Sequence, residues 1–401
     1  MQEEIIIKKV SIVIIGIDGY GKRYLNWLLQ EGEKYKVVIA GVVDIHPKNS
    51  YIYTEVVKNN IPIFPSIEEF YDNEHADLAI ISTPIHLHAY QSCYALEHGS
   101  NVLCEKPMCA TIQEAHQMIE TRDRSGNFLA IGFDWSFNPS VIQLKQDIIN
   151  NEFGKPQRFK SLLLLPRSEN YYNRTSWAGK MYSEKGEPIL DSVANNAGAH
   201  SLHYMFFLLG SGLNRSAQLK QVTAELYRAN PIESYDTCAL KAKVEDDITI
   251  HFYATHATKN NWGPIFSFEF EQAIMSYTPG DSNSLEVNFN DGRRRFYSGP
   301  LQTSPMQKLI DCIKSIVLNV KDVTCGPEAS YTHTLCVNNM HRSFIRIADF
   351  DPSLIRQDND VTWVEGLDET LIKSFNQWMM PSDINKPWTK KGNPINIASL
   401  K

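Results

Sequence analysis

The sequence predicts an α/β protein of two domains: a doubly wound parallel sheet flanked by helices, then an α+β domain with a large, mostly antiparallel open sheet. Three observations carry this. At 401 residues, the chain is longer than one ordinary core requires. Its amino-terminal third repeats an order of apolar run, turn and helical pattern, the mark of βαβ units. Residues 218–286 alternate apolar and polar side chains, as strands with one covered face do. The domains are expected over residues 1–138 and 139–401, with carboxyl-terminal helices available to pack back on the first.

The first strand is Ser11 to Ile15, followed at once by Gly16-Ile17-Asp18-Gly19-Tyr20-Gly21 and a helical pattern from Lys22 to Gln30. Strand, glycine turn and helix in that order suit the pyrophosphate of a dinucleotide. Gly16 permits the tight turn, and Gly21 the close packing of helix on strand. Asp18 stands where G-x-G-x-x-G has its middle glycine, and an acid there is unfavourable unless it points away. The next strand, Lys36 to Val43, ends at Asp44, 23 residues past Gly21. An acid there accepts hydrogen bonds from the adenosine ribose and repels a 2′-phosphate, which favours NAD over NADP. A turn residue before His46-Pro47 is the other reading of Asp44.

Ile61 to Phe64 and Ala76 to Ser82 are further strands, with a short helix, Ile67 to Tyr71, between them. The second strand runs through Ser82-Thr83-Pro84 into a helix, Leu87 to His98, whose start suits an anionic group. Thr83 and the first-turn amides are cofactor candidates, with His86 and His88 of second rank. Val102 to Cys104 reads as a buried strand that stops at Glu105-Lys106-Pro107, because a proline cannot continue a ladder. Glu105 and Lys106 then lie at a strand's carboxyl end, where open parallel sheets bind ligands. A lysine partly desolvated there can have its pKa lowered enough to move protons; a solvated charge pair is the plainer reading. Thr111 to Ser125 is a helix, and Phe128 to Phe133 the last strand.

These motifs, with Gly132-Phe133-Asp134-Trp135-Ser136-Phe137-Asn138-Pro139, stand in the order found in the glucose-fructose oxidoreductase and inositol dehydrogenase (Gfo/Idh/MocA) family, which the chain resembles. The resemblance implies a Rossmann dinucleotide-binding domain. It also implies that Lys106 sits beside the nicotinamide and the reacting hydroxyl, that Pro107 follows a cis bond, and that Glu105 helps to position the site. A cationic nicotinamide next to Lys106 would favour the neutral amine.

After the helix Val141 to Asn150, Gly154-Lys155-Pro156 leads into a strand, Gln157 to Leu165. In the family this passage enters a second domain whose open sheet covers the nicotinamide end of the cofactor and often mediates oligomers, so a homo-oligomer, dimer or tetramer, is expected. Between Arg167 and Lys180, Tyr171, Arg174 and Trp177 mix rings with a guanidinium, which suits a sugar or polyol; an ordinary surface loop is the alternative. Asn195, Asn196, His200 and His203 precede or enter an apolar helix ending near Gly210. If the helix has begun at Asn196, it shares a face with His200.

The resemblance sets His200 on the family's catalytic histidine and Asn196 where an aspartate is usual. An asparagine can orient an imidazole but cannot stabilise its cation. Helix packing is the other reading of both histidines. Asp291 to Arg295 reads as a hairpin tip. Met306 to Asn319 and Ser330 to Asp349 are helical, and the last fifty residues keep enough aromatic side chains to pack on the body.

A formal charge of −7 argues against nucleic-acid or anionic-membrane partners. No apolar run is long enough for a bilayer, and the acidic start, Met1 to Glu4, lacks the basic region of a secretory signal; a cytoplasmic location is expected. The seven cysteines contain no C-x-x-C pair, so no metal site is expected and they read as small buried apolar residues. The function implied is NAD-dependent oxidation of a secondary hydroxyl of a sugar or polyol, with Lys106 and His200 moving the proton. Two alternatives stand beside it: redox-assisted glycoside cleavage with retained NAD, and a non-catalytic dinucleotide sensor.

Overall fold

Six strands and the helices between them build the first unit of a computed structural model that describes residues 9–280 and 283–397. The acidic start, residues 1–4, lies outside the described residues. The strands are β1 (Val10–Ile15), β2 (Val37–Val43), β3 (Ile63–Phe64), β4 (Leu78–Ile81), β5 (Asn101–Cys104) and β6 (Leu129–Ile131), in the order β3-β2-β1-β4-β5-β6 and all parallel. β4 and β5 are buried at every position, as strands covered on both faces must be. Only Ile63–Phe64 of the expected third strand joins the ladder, where a proline just precedes it.

The helices are α1 (Gly21–Glu31), α2 (Tyr53–Lys58), α3 (Ile67–Asn73), α4 (Ile85–Glu97) and α5 (Ile112–Ser125). α5 shows how local sequence fixes the boundaries. Thr111 and Glu114 form a reciprocal capping box at its start, and Gly126, at φ +68°, ends it. The chain comes back to this unit much later: Ser304–Glu328, with the helix Gln307–Val317, belongs to it and not to the second.

The second unit comprises Asn138–Thr303 and Ala329–Lys401. Its strands are β7 (Pro156–Leu164), β8 (Leu219–Arg228), β9 (Thr237–Val244), β10 (Thr249–Thr255), β11 (Trp262–Phe270), β12 (Ala273–Tyr277), β13 (Ser284–Phe289) and β14 (Arg294–Ser298). They run β14-β13-β12-β11-β7-β10-β9-β8, with short strands Ala348–Asp349 and Ile395–Asn396 added at β8. The sheet is mixed: β7 and β10 pair in parallel, while β8 to β14 otherwise meet antiparallel. In β12, Ala273, Met275 and Tyr277 are buried and Ile274 and Ser276 exposed, the period of a strand covered on one side.

The described part of the last fifty residues packs on this sheet. The Tyr253 hydroxyl donates to the Met379 carbonyl at 2.8 Å, and the Lys160 ammonium to the Phe375 carbonyl at 2.8 Å, beside the helix Leu367–Gln377. All seven cysteines are buried and free. Among the described residues, no helix is long and apolar enough to cross a membrane and no group of side chains could hold a metal ion.

Burial also fixes the charge of four histidines in this unit. It pushes His251 and His341 down to about 4, His256 to about 3 and His203 well below its usual value. The unfolded chain therefore binds protons that the fold refuses below about pH 6.5, so stability is full above that pH and falls as pH drops toward the folded values. The slope is about 1.4 kcal/mol per pH unit for each histidine. The urea midpoint should fall steadily from about pH 6.5 to about pH 5, and less steeply in His256→Gln; a flat midpoint over that range contradicts the assignment.

Candidate functional site

The strand order of the first sheet reverses between β1 and β4, and the crevice at the carboxyl ends of such a pair is where an open sheet admits a ligand. The glycine loop leaves β1 at this point. Gly16 sits at φ +83°, and a Cβ there would stand 2.9 Å from the Ser82 carbonyl oxygen. At Gly21 a Cβ would fall 1.9 Å from the Gly16 carbonyl oxygen, so α1 starts against the turn with no room for a side chain. Gly19 needs its freedom only for its φ of +55°, because the space around it is open.

The loop is latched from β2. The buried Ile17 donates its N–H to Asp44 Oδ2 at 3.1 Å, and Asp44 Oδ1 accepts the His46 N–H at 2.8 Å. Asp44 thus serves as a turn residue and a loop anchor together, and each oxygen keeps a lone pair. Asp18 is exposed, and its Oδ1 accepts the Ser50 hydroxyl at 2.9 Å. Ser82 Oγ is buried and has no hydrogen-bond partner among the described residues. A backbone cradle that any side chain would fill, the start of an eleven-residue helix and an orphaned buried hydroxyl fit the pyrophosphate of a dinucleotide.

The Thr83 hydroxyl donates to Gln91 Oε1 at 2.5 Å, Pro84 precedes α4, and His86 is half-buried in its first turn. His88 is buried, with Nδ1 2.9 Å from the Pro107 carbonyl oxygen and Nε2 2.9 Å from that of Thr83. Burial lowers its proton affinity. His88 thus lies between the loops after β4 and β5, and as a neutral ring it donates to one of the two carbonyls.

At the end of β5, Lys106 is half-buried and the Lys106–Pro107 bond is cis. Its neighbour Glu105 is only 7% exposed and heavily engaged. Glu105 Oε1 accepts the Tyr24 hydroxyl at 2.6 Å and the Lys308 ammonium at 2.5 Å, while Oε2 accepts the Lys106 N–H at 3.2 Å. Lys308, fully buried on Gln307–Val317, also reaches Asp134 Oδ1 at 2.7 Å and the Gly132 carbonyl at 3.3 Å. Asp134 Oδ2 in turn accepts the Tyr20 hydroxyl at 3.2 Å. Burial is the first effect on Lys308 and would lower its pKa, but Glu105 and Asp134 outweigh it and hold the ammonium above its usual value. Tyr20 is pushed up to about 12, chiefly by burial.

Lys308, Tyr24 and Asp134 went unassigned in the sequence reading. Lys308 did leave a trace there, since it is the one charged member of the buried stripe Lys308, Leu309, Cys312 and Ile313.

In the second unit, the apolar helix runs over Ala199–Leu208, with Gly198 as its cap. His200 is half-buried in its first turn, and Asn196 lies in the preceding turn, so the two do not share a helical face as a helix begun at Asn196 would give. Asn196 donates its amide to Asp191 Oδ1 at 2.9 Å, and Asp191 Oδ2 accepts the Gly179 N–H at 2.6 Å. Asn195 is buried and spends its amide on the Leu190 carbonyl at 3.0 Å. Tyr171 lines a narrow cavity with Asp191 and His256. The Arg174 guanidinium stands 3.7 Å from the Tyr171 ring and 5.5 Å from the half-buried Trp177. Of the substrate-side candidates, the fold therefore gathers Tyr171, Arg174 and Trp177 in one stack. It adds Asp191, a carboxylate absent from the sequence reading, behind Asn196.

Residues 10–133 match the family described as the oxidoreductase family with an NAD-binding Rossmann fold. Among similar curated proteins is the 2,7-anhydro-N-acetylneuraminate hydratase of Mediterraneibacter gnavus, 29% identical over 148 residues, 37% of this chain and 38% of that one. Another is the glucose-6-phosphate 3-dehydrogenase of Bacillus subtilis, 31% identical over 146 residues, 36% of this chain and 39% of that one. The chain thus spans well under half the length of these relatives. The WlbA dehydrogenase of Bordetella pertussis, solved with NADH and UDP-GlcNAcA, shares the fold with a TM-score of 0.70 at 18% identity, over 84% of this chain and 97% of that one.

The geometry ranks two glycines. Gly21→Ala meets backbone at 1.9 Å and should cost more than about 3 kcal/mol, whereas Gly19→Ala meets only the penalty for positive φ, about 1–2 kcal/mol. Urea midpoints of the two variants check the order; equal costs would contradict the close packing of α1 on the loop.

Proposed function

We propose, from the premise that the chain belongs through residues 10–133 to the Gfo/Idh/MocA oxidoreductase family, that this protein is an NAD-dependent oxidoreductase acting on a secondary hydroxyl of a sugar or sugar derivative. The observation that carries the reading is the setting of Lys106. It is half-buried at the carboxyl end of β5, on the edge of the sheet that also bears the glycine loop, and its backbone is tied to a buried carboxylate.

NAD, when bound, supplies the carbon that accepts hydride. Gly16 to Gly21 would cradle its pyrophosphate, with Ser82 and Thr83 on the same edge. Asp44 would accept from the adenosine ribose, and its charge would disfavour a 2′-phosphate. Lys106 is the proposed acceptor of the hydroxyl proton, the role that the family resemblance gives it. His200 is the second proposed proton carrier.

Tyr171, Arg174, Trp177, Asn195 and Asn196 are the proposed substrate side, Asn195 acting through the backbone it holds. Arg167 and Arg174 lie 4.5 and 3.7 Å from the Tyr171 ring, and neither meets a carboxylate at ion-pair distance among the described residues. An anionic substituent on the sugar would supply that counter-charge. Glucose 6-phosphate and UDP-GlcNAcA, named with two similar proteins, both carry one. A second reading, redox-assisted cleavage without net oxidation, is favoured by the likeness to a hydratase.

The test follows absorbance of reduced nicotinamide while neutral, phosphorylated and carboxylated sugars and aryl glycosides are offered with NAD+. Wild type should turn over an acidic sugar, and Lys106→Ala should lower kcat by about 10²–10⁴-fold. Arg174→Ala should raise KM for that sugar with kcat retained. Aglycone release without net reduced nicotinamide would replace the dehydrogenase by the second reading. No turnover of any sugar, with NAD+ bound, would overturn both in favour of a sensor.

A further inference from the structure

We infer that Lys308 is a positioning residue for Lys106, supplied from a helix about two hundred positions downstream of the motif it serves. The inference rests on the reading of Lys106 as the proton carrier. Its physical basis is the path from one ammonium to one backbone N–H. Lys308 Nζ holds Glu105 Oε1 at 2.5 Å, and Glu105 Oε2 accepts the Lys106 N–H at 3.2 Å. The carboxylate is thereby fixed at one oxygen and fixes the lysine's backbone with the other. The Tyr24 hydroxyl, at 2.6 Å, gives Oε1 a second donor and stops it from swinging.

The same ammonium reaches Asp134 at 2.7 Å, and Asp134 accepts from Tyr20 of the glycine loop. Rings close the cage: Lys308 Nζ is 4.3 Å from the Tyr20 ring and 5.4 Å from that of Tyr24. Gly132 leaves the room, because a Cβ there would stand 3.1 Å from both Glu105 Oε2 and Lys308 Nζ. Lys308 is 1% exposed, so water cannot replace the contacts it makes. A reacting lysine displaced by about 1 Å loses about 10²-fold in rate, and removing Lys308 frees the carboxylate that sets its backbone.

Two readouts test this on the full chain. The first is a cycle of Lys308→Met, Lys106→Ala and the double variant, with kcat and KM measured on the substrate wild type turns over. Lys308→Met should lower kcat about 10–100-fold with KM for the sugar changed by less than about threefold. Placed on Lys106→Ala, it should add less than about threefold, because a residue that acts through Lys106 has nothing left to position. An equal factor in both backgrounds would mark a general structural role and overturn the inference.

The second readout needs no turnover. Backbone hydrogen exchange at Lys106 should rise more than about tenfold in Lys308→Met while α5 keeps its protection; unchanged exchange at Lys106 overturns the inference. If Lys106→Ala leaves kcat intact, the proton-carrier reading fails and the exchange result alone decides whether Lys308 sets the Lys106 backbone. If Lys308→Met does not fold, Lys308→Met with Glu105→Gln and Asp134→Asn leaves no buried charge unpaired and is read in the same ways, with the same outcomes for and against.

Discussion

One buried ammonium holds the carboxyl edge of the first sheet together. Lys308 is 1% exposed and meets Glu105 at 2.5 Å and Asp134 at 2.7 Å. Taking a charge out of water costs several kcal/mol per ion, and the cost is offset only where geometry and further hydrogen bonds are good. Here they are: two carboxylates and a carbonyl accept from it, and two tyrosine hydroxyls donate to the carboxylates. The contacts belong to three different motifs, the glycine loop through Tyr20, the E-K-P turn through Glu105 and the G-F-D-W turn through Gly132 and Asp134. A residue outside all three sets their spacing.

That arrangement gives each polar group on the edge one of two jobs. His88, Asp44 and one oxygen of Glu105 meet backbone groups and so fix the loops after β4, β2 and β5, while the other Glu105 oxygen meets Tyr24 and Lys308. Ser82 Oγ remains without a partner among the described residues at the glycine loop, and the Lys106 backbone is already held by Glu105. Rigidity beneath the glycine loop is what a site for a bound dinucleotide needs, because the ordering cost is met before the ligand arrives. In the second unit Asp191 has a similar place behind Asn196, fixing the amide of a turn that leads to His200.

Much of this was legible in the residues. Strand and helix positions in the first unit came from apolar runs and turn residues, because parallel strands buried on both faces leave a strong signal; the errors were one or two residues at the ends, a third strand cut short, and the short helix Tyr53–Lys58, which the reading did not assign. The roles of Gly16 and Gly21 were legible because the turn leaves no volume for a side chain. What was not legible is what depends on long-range packing. Nothing local to Gln307–Val317 says that it belongs with the first unit, and Lys308 stood out only as a charge within an apolar stripe. His88 was a second-rank candidate only, because a histidine that meets a ligand and one held between two backbone carbonyls have the same sequence. Asn196 shares a face with His200 only if the helix has begun there, and the helix begins three residues later, at Ala199.

The most direct test of the account is a calorimetric titration of NAD+ and NADP+ into wild type and Asp44→Ala. A site built on the β1 and β4 edge, with its acid at the end of β2, predicts that wild type binds NAD+ more tightly than NADP+ and that the preference shrinks when the carboxylate is removed. Equal affinities in wild type, or no binding of either dinucleotide, would contradict it.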